Sequence, residues 1–101
     1  MITLSIRYTI DPRKRGDFER YARALGIVIP RCGGELVGYW MPTLFAGPTN
    51  IAIALIDFPS LAAYEQYRER LARDGDNVEG VRRAQESGCI LVEDRTFLQR
   101  V

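Results

Sequence analysis

The sequence predicts an α+β fold in which one four-stranded antiparallel sheet carries its helices on a single face. Three observations predict it. Apolar residues recur with alternating period two and period 3.6 in the order strand, helix, strand, strand, helix, strand. Asp11-Pro12 and Pro59-Ser60 each stop a strand and open a helix. The third strand-like run, Asn50 to Phe58, is apolar on both faces and must be covered on both. That order is the split β-α-β, or ferredoxin-like, arrangement (βαββαβ), with strands one and three at the centre.

The first strand, Met1 to Ile10, sets Ile2, Leu4, Ile6, Tyr8 and Ile10 against Thr3, Ser5, Arg7 and Thr9. Asp11 caps the helix that Pro12 begins, and Phe18, Tyr21, Ala22, Leu25 and Val28 or Ile29 give it an apolar stripe. It is expected over roughly 13–27, weakened by Gly26 and ending before Pro30. Gly33-Gly34 marks a turn into a second strand, Glu35 to Met41, which Pro42 ends. In the third strand Ile51, Ile53 and Leu55 oppose the small Ala52 and Ala54, followed by Ile56 and Phe58. Ser60 caps a second helix striped by Leu61, Tyr64, Tyr67 or Arg68, and Leu71, with Glu65–Arg68 and Glu69–Arg73 pairs outside and Gly75 closing it. Asp74 to Ser87 reads as a polar link with a short helix around Val81 to Glu86, capped by Gly88. The last strand runs from Cys89 to about Gln99.

Residues 1–101 make one domain with one core, since domains cluster at roughly 100 to 150 residues. An apolar content of 47% and a charged content of 27% are those of a globular protein. Fourteen basic and thirteen acidic residues leave a charge of +1, which gives no field for nucleic acid or an anionic membrane. No apolar run approaches a membrane span, and a cytoplasmic protein is the default expectation. Cys32 and Cys89 are far apart, with no metal spacing and no histidine to complete a zinc set, so both read as reduced, buried thiols. The absence of histidine removes imidazole acid–base catalysis and histidine-ligated haem, and neither cofactor nor metal is expected.

The stretch Gly38 to Asn50 holds the only tryptophan beside an apolar loop, Leu44-Phe45, and reads as the wall and rim of a pocket. If the helices cover the Ile2, Leu4, Ile6, Tyr8 face, the opposite face bears Thr3, Ser5 and Arg7, with the alanines of strand three beside them. A half-apolar open face needs a partner, and a second copy packed sheet to sheet is the economical one. The candidate cavity is then Ser5, Arg7, Tyr39, Trp40, Phe45, Glu93 and Arg95. A guanidinium taken from water needs a carboxylate or an anionic ligand, so Arg7 is expected either to pair with Glu93 or to hold such a ligand against the aromatic wall.

Tyr8, the Pro12 helix entry, Phe18 and Tyr21, Gly38-Tyr39-Trp40, Gly47-Pro48-Thr49-Asn50, Phe58-Pro59-Ser60 and the closing Glu93-Asp94-Arg95-Thr96-Phe97-Leu98 together resemble the bacterial NIPSNAP family across essentially the whole chain. The resemblance implies the dimeric α/β-barrel superfamily fold. That superfamily includes cofactor-independent monooxygenases, haem-degrading enzymes and lactone isomerases, while NIPSNAP proteins have no agreed activity, and fold does not supply function. The expectation is a NIPSNAP-like homodimer, paired through its open sheet face, that binds a small organic ligand in the cavity named above. The alternatives are a cofactor-independent monooxygenase or isomerase acting on a partly apolar anionic or enolisable substrate, with Arg7 or Arg95 holding the charge, and a protein-interaction module using the helical face or Leu44-Phe45. Neither nucleic acid nor membrane is an expected partner.

Overall fold

The computed structural model describes residues 1–101. It contains β1 (Ile2–Ile10), a single 3-10 turn (Pro12–Lys14), α1 (Arg15–Arg31), β2 (Glu35–Trp40), β3 (Ile51–Phe58), α2 (Leu61–Arg73), α3 (Gly75–Ser87) and β4 (Ile90–Leu98). The sheet order is β2-β3-β1-β4, antiparallel throughout, with β1 and β3 central as the sequence predicts. The fold is ferredoxin-like α+β, with three helices rather than two. No helix is long and apolar enough to cross a membrane.

Local chemistry accounts for most boundaries. The Asp11 carboxylate accepts from the Arg13 N–H at 3.0 Å and opens the 3-10 turn, and Ser60 Oγ accepts from the Ala63 N–H at 3.1 Å and opens α2. Gly88 ends α3 in the left-handed region, φ 69°, which a glycine adopts without steric cost. Two boundaries differ from the sequence reading. First, α1 continues through Pro30 to Arg31, because Val28 and Ile29 are buried and hold the last turn in the core. The proline forfeits one N–H so close to the end that the helix survives it. Second, the segment after Asp74 is a full helix that packs on α1, not a link with a short helical piece. Asp74 ends α2 and caps α3, its carboxylate accepting from the N–H groups of Asp76 and Asn77, so Gly75 opens α3 and does not close α2.

Leu4, Ile6, Tyr8 and Ile10 of β1 face the helices, as expected. The alanines of β3 do not lie on the opposite face. Antiparallel register sets Ala52 beside Tyr8 and Ala54 beside Ile6, so the small residues share the helix side and make room there for the Tyr8 ring. Ile51, Ile53 and Leu55 therefore line the open face with Thr3, Ser5 and Arg7, and Asp57 accepts from Thr3 Oγ1 at 2.5 Å. Cys32 and Cys89 are buried and unlinked, each beside the start of an edge strand on opposite sides of the sheet.

Candidate functional site

The seven residues expected in one cavity are divided between the two faces of the sheet. Ser5 and Arg7 lie on the open face, opposite Leu55 and Ile53 on β3. Trp40 is there too, paired with Ile53, its ring over Gly38 so closely that a Cβ on that glycine would stand 3.0 Å from Trp40 Cη2. Phe45 is 96% exposed in the β2–β3 loop and belongs to neither face. Tyr39, Glu93 and Arg95 lie on the helix side. For Glu93 and Arg95 this corrects the sequence reading. Asp94 sits opposite Arg7 and Thr96 opposite Ser5, which turns the other row of β4 toward the helices, and Phe97 of that row packs edge-on against Tyr64 of α2 with ring centroids 4.9 Å apart. A bulge near Ile90 returns Ile90 to the same side. The expected Arg7–Glu93 pair is thus excluded by the sheet between them, and Glu93 pairs with Arg95 at 2.8 Å.

Between sheet and helices lies a cavity of about 650 Å³. Its floor is Ile6, Tyr8, Tyr39 and Ile56, its walls come from α1, α2 and α3, and Glu93 and Arg95 stand at its β4 edge. The inner end is phenolic. Tyr8 packs edge-on against Phe18 with centroids 5.0 Å apart and stacks on Tyr39 at 6.1 Å, and the Tyr8 and Tyr39 hydroxyl oxygens are 3.3 Å apart. Tyr21 from α1 and Tyr67 from α2 add two further rings to the lining. The polar wall is sparse. Asn77 is buried and gives its side-chain N–H₂ to the Leu71 carbonyl at 2.9 Å, while Arg68 and Gln85 reach the lining from α2 and α3.

Electrostatics follow from this enclosure. Burial, then Tyr39, pushes Tyr8 far above the ordinary phenol range, and burial, then Tyr21, does the same to Tyr39. Burial, with Glu93 adding, pushes Tyr21 up to about 12, and burial carries Tyr67 to about 12 against the opposing Arg95 charge. All four phenols are neutral at neutral pH and act as hydrogen-bond donors and acceptors. Partial burial works against the Arg95 charge, but Glu93 more than offsets it and the guanidinium stays protonated. The site can enclose a small, largely apolar molecule, hydrogen-bond an oxygen at its inner end and meet negative charge at its edge.

Sequence reasoning placed Tyr21 and Tyr67 in the core by their helical spacing and left Arg68 either on the same stripe or outside, pairing with Glu65. The structure brings all three to the cavity, and Arg68 has no such pair. One signal could have found the site: Ala52 and Ala54 in register with a central tyrosine, which leaves volume on the face where rings converge.

Fold and site define a ferredoxin-like domain with a ligand-sized cavity between sheet and helices. The chain belongs to the NIPSNAP family, whose model matches residues 4–101. Its structure is similar to that of a protein from Agrobacterium tumefaciens, at TM-score 0.85 and 22% identity over 100% of this chain and 94% of that one. It is similar also to a NIPSNAP family protein from the same organism, at TM-score 0.83 and 24% identity over 99% and 92%. A putative antibiotic biosynthesis monooxygenase from Nitrosomonas europaea shares the fold at TM-score 0.74 and 8% identity, over 100% and 99%. None of the curated proteins matches this sequence.

Proposed function

We propose that the protein is a homodimer that binds a small organic molecule in the cavity between its sheet and helices. The observation that carries this reading is the cavity itself. At about 650 Å³ it falls in the range of roughly 300–1,000 Å³ typical of small-molecule sites, and it joins an apolar floor to a few convergent polar groups. Dimerisation accounts for the other face of the sheet. Trp40, Ile53, Val92 and Leu98 are exposed there although large and apolar, and a second copy would cover them.

Native mass spectrometry of the purified protein, beside the same sample denatured, tests both halves. A dimer with a reproducible extra mass that is lost on denaturation supports the reading. A monomer removes the pairing, and failure to take up any compound of a broad aromatic and aliphatic panel removes the binding.

A second reading has one observation in its favour: neutral phenols at the inner end of an apolar site whose edge carries an arginine, in a fold shared with a protein named as a putative monooxygenase. In a cofactor-independent oxygenase or isomerase, Arg95 would hold the charge of a substrate enolate and the Tyr8–Tyr39 pair would hydrogen-bond its oxygen. Arg7, on the far face, takes no part. An Arg95→Ala protein that folds and keeps full turnover of a substrate accepted by the unaltered protein would sink this version.

A further inference from the structure

The two ends of the cavity differ in chemistry, and the difference orients what fits between them. At the inner end the Tyr8 hydroxyl is bonded with that of Tyr39, the oxygens 3.3 Å apart, and the Tyr21 hydroxyl bonds with Tyr8 as well. Three phenols own three protons, and the two bonds that link them through Tyr8 use two, whichever oxygens donate. One O–H is therefore left without an acceptor, on rings that wall the cavity. Burial keeps all three phenols protonated well past neutral pH, so the donor persists.

At the outer end the cations differ. Arg95 is already met by Glu93 at 2.8 Å. Arg68 lines the cavity from α2 and takes part in none of the molecule's ion pairs. Between the two ends the lining is aliphatic and aromatic, with Leu25, Ile56 and Leu71 among it. An apolar passage with a spare O–H donor at one end and an unpaired guanidinium at the other has a polarity.

We propose that the ligand is an amphiphilic monoanion: an apolar body with an oxygen acceptor seated against Tyr8 and Tyr39 and a carboxylate facing Arg68. This rests on the cavity being the binding site and adds the class and orientation of what it binds. An inward-facing carboxylate would lie among buried, neutral phenols, and a cationic ligand would meet Arg68 and Arg95 at the rim. Both arrangements are disfavoured.

Three rigid probes separate these contributions in isothermal titration calorimetry on the full chain. A methoxynaphthoate with its two substituents at opposite ends of the ring system carries both features, naphthoate lacks the inner acceptor, and methoxynaphthalene lacks the anion. The expected result is methoxynaphthoate binding about tenfold more tightly than either truncated probe, one hydrogen bond or charge contact being lost in each. Arg68→Ala should erase the advantage over methoxynaphthalene and keep the one over naphthoate. Tyr8→Phe combined with Tyr39→Phe should do the reverse, and because it keeps both rings in place it disturbs the packing little. The comparison on the unaltered protein needs no variant. Equal affinity for all three probes would overturn the proposed polarity while leaving the cavity as a binding site. Discrimination that survives both variants would overturn it as well, and no binding of any probe would remove the cavity reading together with it.

Discussion

Gly34 is where one added carbon would be felt most. A Cβ there would lie 2.8 Å from Ile29 Cγ2, 3.0 Å from Ile56 Cγ2 and 3.1 Å from Tyr67 Cε1, so α1, the sheet and α2 are all close against this one backbone position. Ile29 and Ile56 are buried and have no room to retreat. Gly34→Ala should cost roughly 1–3 kcal/mol, the usual penalty of overpacking, read as a lower urea midpoint at unchanged slope. Gly80→Ala is the control. Its Cβ would meet only Leu25 Cδ2, at an ordinary 3.6 Å, and in mid-helix it should add about 0.5–1 kcal/mol by the ordinary preference for alanine over glycine. At this scale the sequence reveals who is buried better than what the buried groups do. Tyr21 and Tyr67 announce themselves as inward-facing by spacing. That their phenol ends share one cavity with Tyr8 and Tyr39 depends on four elements at once, and spacing within one element cannot show it.

At the level of elements, Asp74 is the joint on which the helical layer turns. Its carboxylate caps α3 through the N–H groups of Asp76 and Asn77 and receives a two-pronged bond from Arg31 at 2.8 and 2.9 Å, tying the end of α1 to the α2–α3 corner. The two roles separate chemically. Asp74→Asn keeps a good cap but loses the charge that Arg31 meets, whereas Asp74→Ala loses both. Thermal melts should fall in the order unaltered, Asn, Ala, and added salt should narrow only the gap between the first two. A variant series in which Asn and Ala melt together would show that the cap contributes nothing. The joint also explains why α3 is hard to read from sequence. Gly75, Asp76, Asn77 and Gly80 are weak helix formers, and the segment becomes a helix because Asp74 caps it and Ala84 packs into the core. The strands of β1 were legible because one face is apolar and the other polar. The apolar-on-both-sides β3 and the mixed β4 were not, since register alone decides which of their rows meets the helices, and a shift of one residue exchanges the rows.

For the molecule as a whole, pH and assembly are the measurable consequences. With no histidine, nothing with an ordinary imidazole pKa titrates near neutrality, and a stability plateau is expected across that range. On the alkaline side Cys32, raised above 9.0 by burial, and the cavity tyrosines, raised above 10.0, hold more protons folded than unfolded. Their contribution is complete below those values and is lost as pH climbs toward about 12, so urea midpoints should fall through that window. On the acid side Glu79, which Arg82 holds down to about 2, and Asp11 and Asp74, lowered by backbone N–H bonds, add stability that is present above 4.5 and lost as pH falls below it. The proposed assembly rests on the other face of the sheet. Ile53 occupies a central strand there, 38% exposed, beside Trp40 on β2 and Arg7 on β1. If two such faces pack together, Ile53→Lys places an ammonium on each side of a dry interface, and desolvating it without a partner costs several kcal/mol, about a hundredfold or more in dissociation constant. Sedimentation should then show the unaltered protein as a dimer and Ile53→Lys as a monomer with an unchanged far-ultraviolet spectrum, because the helix-side core is untouched. Trp40, half-exposed in the single chain, should emit at longer wavelength in the monomer than in the dimer. Arg68→Ala, on the opposite side of the sheet, should leave the assembly as it is, and an Ile53→Lys protein that sediments like the unaltered one would rule out pairing through this face.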